Sequence, residues 1–278
     1  MIRHLALLVL FAVPWPAPAH AAESFANCTG FIDTLPASIS TQGTWCLRRH
    51  LYTSMTSGAA ITLLTDNVTL DCNDFRLSGF GAGAATDASG VEAGPVRRNA
   101  TIRHCRIQGF RHGVQLEGAG HRVEDNRFDG NTDFGVRTTG EDHEIRRNVV
   151  NDTGGRPGNT AAWGIFVSGG ANVLDNTVQG ISPAGNMAGD RQPRGIYVNN
   201  GLAAGNRVSG LVHAGTGAAL GIWVFDAIAR DNVLLPPTGV GWGVYGSSES
   251  TSICQDNTIK GYAVAHSYCQ ASGNVVQP

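Results

Sequence analysis

The chain has 278 residues, a formal net charge of −2 and 37 glycines, and only 15% of its residues are charged. This balance excludes a strongly basic protein that would bind nucleic acid, and it excludes an acidic disordered tail. Glycine is about twice as frequent as in an average domain, which favours many tight turns over long helices.

Residues 1–21 have the pattern of a secretory signal peptide. Arg3 provides a basic start, residues 5–13 form an apolar run too short to cross a bilayer, and Ala19-His20-Ala21 is a suitable cleavage site. The sequence therefore predicts a cut after Ala21 and a secreted or periplasmic protein. No later stretch is apolar enough for a membrane span.

The six cysteines all follow this segment, and an even number in an exported chain favours disulfides over free thiols. There is no C-x-x-C spacing, so a metal site built from thiolates is disfavoured. Several pairings are open on sequence grounds. Grouping along the chain favours Cys28–Cys46, Cys72–Cys105 and Cys254–Cys269.

Residues 22–59 lack the repeat that follows, and they are predicted to form an N-terminal cap that covers the first coil of a solenoid. From residue 60 to residue 278 one phrase recurs. An Asn is followed two places later by an apolar residue, and after a loop a Gly precedes apolar–any–apolar. Residues 176–178 and 195–198 form one clear copy. Alternation of this kind predicts strands with one buried face.

Self-similarity at this period predicts a solenoid rather than a layered domain. Equivalent strands of successive coils would stack into parallel ladders, and their connections would be right-handed. The sequence therefore predicts an all-β fold, a single-stranded right-handed parallel β-helix of about nine coils with an N-terminal cap.

The repeated Asn, the Gly-Ile-x-Val strands and the opening segment 66–73 resemble the right-handed β-helix repeat proteins of the pectate-lyase-like superfamily. The resemblance covers roughly residues 60–276. It implies that the Asn column lies at the turn between the second and third strands of each coil. It also implies a substrate cleft on the first strand. Asn131-Thr132-Asp133 is similar to one polygalacturonase motif, but the other motifs of those enzymes are absent.

The Asn column itself is predicted to be structural. Asn adopts the left-handed conformation of tight turns, and stacked amides can bond along the axis of a stack. The acids before it could form a row of Ca²⁺ ligands, but most coils offer only one, so they are predicted to be solvated turn residues. No metal site and no cofactor is predicted, with Ca²⁺ left as an alternative that lacks a clear ligand cluster. These acids are Asp125, Asp175, Asp231 and Asp256.

The residue between the two buried positions after each Gly must point outward. Cross-strand packing could explain aromatics in this column, but an exposed row of rings is also a surface on which sugar rings stack. Four of these aromatics are predicted to bind substrate: Phe166, Tyr197, Trp223 and Tyr245. The full column is Glu92, Gln115, Arg137, Phe166, Tyr197, Trp223, Tyr245 and Ala265.

The longest loops precede Phe166, Tyr197 and Trp223, and long loops on a rigid scaffold commonly carry function. Their charges would pair with a uronate carboxylate, and a base would remove the α-proton before β-elimination. The base is predicted to be His213 or, as the resemblance implies, an arginine of lowered pKa. The candidate catalytic residues are Asp190, Arg194, His213, Arg137 and Asp152, and Arg191 is a candidate substrate-binding residue.

The favoured function is thus a monomeric, exported, lyase-like enzyme that acts on an acidic polysaccharide. A glycosidase would need two carboxylates across the scissile bond, and Asp152 and Asp190 are the pair that could provide them. An epimerase is a further alternative. A non-catalytic glycan-binding β-helix or a structural scaffold would leave each loop charge as an ordinary solvated residue.

Overall fold

A computed structural model describes residues 25–186, 189–238 and 240–278 of the chain. The predicted signal peptide, residues 1–21, lies outside the described residues. The strands, numbered β1 to β31 in chain order, form three sheets in which neighbouring strands are parallel. One short 3₁₀ helix spans Phe80–Ala82. The part of the chain that the structure describes contains no helix long and apolar enough to cross a membrane.

Each coil contributes one strand to sheet 1, then one to sheet 2, then one to sheet 3. Sheet 1 consists of β2 (Ala37–Ile39), β5 (Ala59–Leu63), β8 (Ser89–Arg98), β11 (His112–Ala119), β14 (Phe134–Glu141), β17 (Ala161–Ser168), β20 (Gln192–Asn199), β23 (Ala219–Phe225), β26 (Gly241–Tyr245) and β29 (Val264–Ser267).

The other two sheets have the same order along the axis. Sheet 2 consists of β1 (Gly30–Ile32), β3 (Gly43–Leu47), β6 (Val68–Asp71), β9 (Thr101–Arg103), β12 (Arg122–Glu124), β15 (His143–Arg146), β18 (Ala171–Leu174), β21 (Gly201–Ala204), β24 (Ile228–Arg230), β27 (Ile253–Gln255) and β30 (Gln270–Ser272). Sheet 3 consists of β4 (Leu51–Tyr52), β7 (Arg76–Ser78), β10 (Arg106–Gln108), β13 (Arg127–Asp129), β16 (Val149–Asn151), β19 (Thr177–Gln179), β22 (Arg207–Ser209), β25 (Val233–Leu234), β28 (Thr258–Lys260) and β31 (Val275–Gln277).

The predicted N-terminal cap, residues 22–59, is described from residue 25 onward. Its strands β1 to β4 join the same three sheets, and β3 pairs with β6 in parallel register. Sheet 1 has ten strands in the described chain, so removing β2 leaves the predicted nine from Ala59 onward. The additional coil that contains β2 could not be recognised from the sequence, because its strands are short and it lacks the repeated Asn.

The predicted inward columns form the core. Ile165 of sheet 1, Val173 of sheet 2 and Val178 of sheet 3 are all fully buried within one coil. The last coil departs from the predicted columns. Val264 is 38% exposed because it lies in register with outward-facing Trp242, and Val276 is 52% exposed because its coil packs against a neighbour on one side only.

Buried asparagines stack at the turn between sheets 2 and 3, where the resemblance places them. Each side-chain oxygen accepts hydrogen bonds from the backbone N–H and the amide group of the preceding rung. Asn206 Oδ1 accepts from Asn176 N at 2.9 Å and from Asn176 Nδ2 at 3.0 Å, and Asn176 Nδ2 also donates to the Ile145 carbonyl at 2.8 Å. The fully buried rungs are Asn126, Asn148, Asn176, Asn206, Asn232 and Asn257.

The left-handed residue of this turn is not the asparagine, contrary to the expectation from sequence. It is the residue before it, with φ of 56° at Asp125, 52° at Arg147 and 55° at Asp175. Asp tolerates this conformation better than most residues, which explains the acids that precede the column. The asparagine can therefore keep its amide directed along the axis of the stack.

The three disulfides are Cys28–Cys46, Cys72–Cys105 and Cys254–Cys269, as the grouping of cysteines predicts. Cys105 occupies the ladder position of its coil, and its backbone N–H donates to Asn126 Oδ1 at 3.0 Å. Disulfides are typical of proteins that fold in an oxidising compartment.

Two buried histidines form a second stack at the turn between sheets 1 and 2. The rings of His121 and His143 are 5.2 Å apart and nearly parallel. His121 Nδ1 accepts from the Ala100 N–H at 3.1 Å, and His143 Nδ1 accepts from the His121 N–H at 3.3 Å. A nitrogen that accepts in this way cannot carry a proton. Burial lowers both pKa values, that of His143 to about 4.

We expect Asn176→Ala to lower the free energy of unfolding by about 1–3 kcal/mol, because buried N–H and C=O groups lose their partners. Urea titration followed by circular dichroism measures the change. Asn172→Ala is the matched control, since Asn172 is exposed on β18 of the same coil, and it should stay within about 0.5 kcal/mol of the parent. Equal effects at the two positions would contradict a structural role for the ladder.

Stability should fall as the pH decreases below the ordinary histidine pKa of 6.5 towards about 4. The folded protein holds His121 and His143 neutral, whereas the unfolded chain takes up protons in this range, so acid favours unfolding. Unfolding free energies measured across this range should show a shallower slope for His143→Gln than for the parent. An unaltered slope in His143→Gln would refute the assignment.

Candidate functional site

Sheet 1 carries the predicted outward column in register. Arg137 lies beside Phe166, Phe166 beside Tyr197, and Tyr197 beside Trp223, which pairs in turn with Tyr245. All five side chains are partly exposed. The column ends differently from the prediction. Tyr245 pairs with Ser267 rather than Ala265, because the last strand is displaced by two residues.

A second outward column lies beside the first, and the sequence prediction missed it. Trp163 pairs with Phe134 on one side and with Arg194 on the other. Leu220 and Trp242 continue the column. Each of these residues stands directly before the recurring Gly, so a large side chain preceding Gly was the signal available in the sequence.

The Gly explains why both columns can face outward although they are three residues apart. In β17 both Gly164 and Ile165 are buried, so the alternation of the strand shifts by one residue there. A Cβ on Gly164 would lie against Val178 and 2.6 Å from the Gly195 carbonyl oxygen of the next coil. Only Gly can therefore let the backbone dip inward while Trp163 and Phe166 both point to solvent.

The rings of the two columns form one continuous surface, which we call the aromatic platform; it comprises Phe134, Trp163, Phe166, Tyr197, Trp223, Trp242 and Tyr245. Phe166 and Tyr197 stack with centroids 4.8 Å apart. Trp163 contacts rings in both columns, with centroids 5.3 Å from Phe166 and 6.0 Å from Trp223. Such contacts stabilise the sheet, and each of these rings is also partly exposed to solvent.

Arg194 lies in the middle of the aromatic platform. Its guanidinium carbon is 4.6 Å from the Trp163 ring centroid and 5.0 Å from the Trp223 centroid. Nη2 donates to Gln192 Oε1 at 3.2 Å, whereas Nε makes no hydrogen bond. None of the ion pairs among the described residues involves Arg194. Burial lowers its pKa below the ordinary arginine value.

Arg137 lies at the edge of the aromatic platform. It forms an ion pair with Glu117 at 3.6 Å, and its guanidinium carbon is 6.0 Å from the Phe166 centroid. Gln115 donates to the same Glu117 carboxylate at 3.4 Å. Polar side chains that bond to one another thus replace the rings in this column on the coils before Phe166.

Asp190, a predicted catalytic acid, holds two loops together. Its carboxylate accepts from the Thr216 N–H at 2.7 Å, from the Thr216 hydroxyl at 2.9 Å and from Asn186 Nδ2 at 3.0 Å. These bonds, the Thr216 amide first, lower the pKa of Asp190, and nearby His213 adds to the effect. The carboxylate is thus employed in positioning the loops.

The remaining predicted loop residues, Arg191, His213 and Asp152, lie in different surroundings. Arg191 forms a backbone bridge with Ala214 in the loop that contains His213. His213 Nε2 is buried and has no hydrogen-bond partner in the structure. Asp152 is exposed in the turn after β16 with φ of 52°, and no described hydrogen bond links its carboxylate to Asp190.

A polar pocket borders the aromatic platform where β14 begins, and the sequence prediction did not assign it. Asp133 is 5% exposed and accepts from Arg111 Nε at 3.2 Å and from Asn159 Nδ2 at 2.8 Å. Burial raises the pKa of Asp133, and these two bonds oppose the rise. The motif Asn131-Thr132-Asp133 was the available signal, but only the fold brings Asn159 to it.

No three or more His, Cys, Asp or Glu side chains converge as metal ligands would within residues 25–186, 189–238 and 240–278. Among the same residues, the acids of the turn before the Asn column lie one to a coil, and Asp125 pairs with Arg147 at 2.6 Å. The alternative of Ca²⁺ binding, which the sequence left open, thus gains no ligand cluster among these residues.

The model of the family described as "Right handed beta helix region" matches residues 39–212. This match covers more than half of the chain, which therefore belongs to the right-handed β-helix family. It confirms the fold and the handedness predicted from the repeat. No curated protein matches the chain in sequence.

Three solved structures are similar to the chain. The Dettilon tailspike protein is 12% identical, with a TM-score of 0.50, over 89% of this chain and 60% of its own, so this chain spans about 60% of that protein. The A-module of the Azotobacter vinelandii mannuronan C-5 epimerase AlgE6 is 14% identical (TM-score 0.41, 84% and 83% covered). Alginate lyase from Paenibacillus sp. str. FPU-7 is 12% identical (TM-score 0.35, 84% and 91% covered). At such identities the likeness shows the fold alone.

We expect Asp190→Ala to increase amide hydrogen exchange in the loops around Asn186 and Thr216 while the core strands stay protected. The reason is that the Asp190 carboxylate accepts the three side-chain and backbone hydrogen bonds from Thr216 and Asn186, and loop openings cost little when such bonds are lost. Exchange measured by mass spectrometry tests this, with Asp152→Ala as the control at an exposed acid. Unchanged exchange in both loops would show that Asp190 does not hold them.

Proposed function

We propose that sheet 1 binds an acidic polysaccharide, with sugar rings stacked on the aromatic platform and a carboxylate of the glycan paired with Arg194. One observation supports this best. Arg194 is a half-buried cation held between two Trp rings, and it has no ion-pair partner among the described residues. A desolvated charge without a partner is costly, and a ligand carboxylate could offset that cost through two charge-assisted bonds.

The spacing of the aromatic platform supports an extended glycan. Neighbouring strands of a sheet lie about 4.8 Å apart, which is close to the advance of one sugar unit along a polysaccharide. Rings on successive coils can therefore meet successive sugar units. Tyr and Trp suit this task because they combine apolar faces with polar tips. The disulfides are consistent with action outside the cytoplasm, which a cleaved signal peptide after Ala21 would bring about.

Cleavage of the same glycan by β-elimination is the second candidate function, and the lowered pKa of Arg194 favours it. Only a neutral guanidine can take the proton α to the uronate carboxylate, and a lowered pKa increases the fraction of Arg194 in that form. The electrons of that C–H bond then form a C=C bond, and the C–O bond to the leaving sugar breaks with its oxygen taking a proton. Asp190 is a weaker candidate for the base, because its lowered pKa and its hydrogen bonds keep it an acceptor within the loops.

Binding should be measured with polygalacturonate, alginate and hyaluronan as acidic probes and dextran as a neutral one. We expect the protein to bind at least one acidic probe and not dextran. Arg194→Gln should weaken binding by about tenfold or more, since it removes a charge-assisted bond. Arg106→Ala is the matched control, because Arg106 is exposed on sheet 3, and it should bind as the parent does.

Absorbance of unsaturated uronate products in the same samples separates the two candidates. Product formed by the parent but not by Arg194→Gln would establish elimination, and binding without product would establish a non-catalytic glycan-binding protein. Failure of the parent to bind any acidic probe, or full binding by Arg194→Gln, would overturn the proposal.

A further inference from the structure

The loop 152–160, which we call the strap, crosses back over two coils at one end of the aromatic platform. Arg156 of the strap donates to the Thr86 carbonyl at 2.6 Å and to Asp87 at 2.9 Å, although about seventy residues separate them in sequence. The strap leads into β17 and the contact lies just before β8, so it passes the levels of β14 and β11, with neighbouring strands about 4.8 Å apart. The strap is therefore fastened at its far end.

Charged side chains of the coils beneath the strap bind to one another and to the strap. Arg111, at the start of β11, donates to Asp87 at 3.0 Å and to Asp133 at 3.2 Å. Asn159 of the strap donates to the same Asp133 at 2.8 Å. The two arginines, Arg111 and Arg156, face the two aspartates in one connected network.

The second outward column, which carries Phe134 and Trp163, continues past these rings next to the strap. His112 pairs in register with Phe134 of the aromatic platform, and Ser89 pairs with His112. Yet Ser89 and His112 are only 3% and 8% exposed, whereas Phe134 and Trp163 are partly exposed. Burial lowers the pKa of His112 to about 3, and the charges of Arg111, Arg137 and Arg156 lower it further.

The first outward column, which carries Phe166 and Tyr197, loses its rings one coil away, at β17. Beyond Phe166 it continues as Arg137 and Gln115, which both bond to Glu117. The second column of rings thus ends at Phe134 on β14, and the first ends at Phe166 on β17. The second column ends next to the fastened strap. A sugar chain lying on the second column finds no further ring to stack on beyond this point.

A pocket of about 440 Å³ lies at the end of the second column. Its polar wall consists of Arg111, Asp133, Arg156 and Asn159, and the rings of Phe134 and Trp163 line its other side. The arginines are balanced by Asp87 and Asp133, so the pocket offers hydrogen-bonding groups without an excess cation. That suits the hydroxyl groups of a sugar, whereas the unpaired Arg194 suits a carboxylate.

We propose that this pocket is a terminal subsite that receives the last sugar unit of a polysaccharide, so that the protein engages chain ends rather than chain interiors. The inference rests on the proposed function, binding of an acidic polysaccharide to sheet 1. The terminal unit binds through its hydroxyl groups beside Phe134 and Trp163, and the carboxylate-bearing unit lies further along the platform at Arg194.

Binding stoichiometry against chain length tests this directly. Size-fractionated polygalacturonate, alginate and hyaluronan are titrated with the intact protein by calorimetry. A protein that binds one chain end saturates at one copy per chain whatever the length. A protein that binds chain interiors saturates at a number of copies that grows in proportion to length.

We expect a constant stoichiometry of one for the parent and for Arg106→Ala. Arg156→Ala, which releases the strap, should shift towards length-dependent stoichiometry, and Asn159→Ala serves as a second variant with the strap released at another point. Length-dependent stoichiometry in the parent would overturn the terminal subsite while leaving glycan binding intact. No binding of any probe by the parent would instead remove the proposed function and this inference together.

Discussion

The fold depends on one interaction repeated in every regular coil, the hydrogen bonds that a buried asparagine side chain makes with the coils on either side. Each amide oxygen serves two donors of the preceding rung, as Asn206 does for Asn176, and each amide nitrogen also satisfies a backbone carbonyl. Buried polar groups that lack partners are costly, so a shift of one coil against the next would leave several groups unpaired at once. The ladder therefore fixes the register between coils.

A fixed register explains why the outward side chains of sheet 1 form a surface at all. Residues at equivalent positions must lie beside one another, and so rings that are about 22 to 31 residues apart in sequence become direct neighbours. The Gly of each copy adds a second column by bending the strand inward, which widens the row into the aromatic platform. A rigid array of ring faces lets a ligand bind without ordering the protein first.

Charge is distributed unevenly over this surface. At the strap the arginines are balanced by aspartates, and at Asp190 the carboxylate is occupied by loop hydrogen bonds. Arg194 differs because rings, rather than acids, surround its guanidinium. Burial at the centre of the platform lowers the pKa of this cation.

The sequence alone was sufficient for the β-helix, the disulfide pairs, the turn role of the Asn column and the outer row from Arg137 to Tyr245, because each follows from periodicity or from spacing along the chain. It did not reveal that residues 30–52 form a further coil, since that coil lacks the repeated Asn. Nor could it show that Trp163 and Phe134 face outward, because strict alternation fails where Gly lets the backbone dip. The partners of Asp190, the unpaired state of Arg194 and the contact of Arg156 with Asp87 were decided by tertiary structure alone. They depend on how loops of irregular length fold over the coils, and no repeat constrains that path.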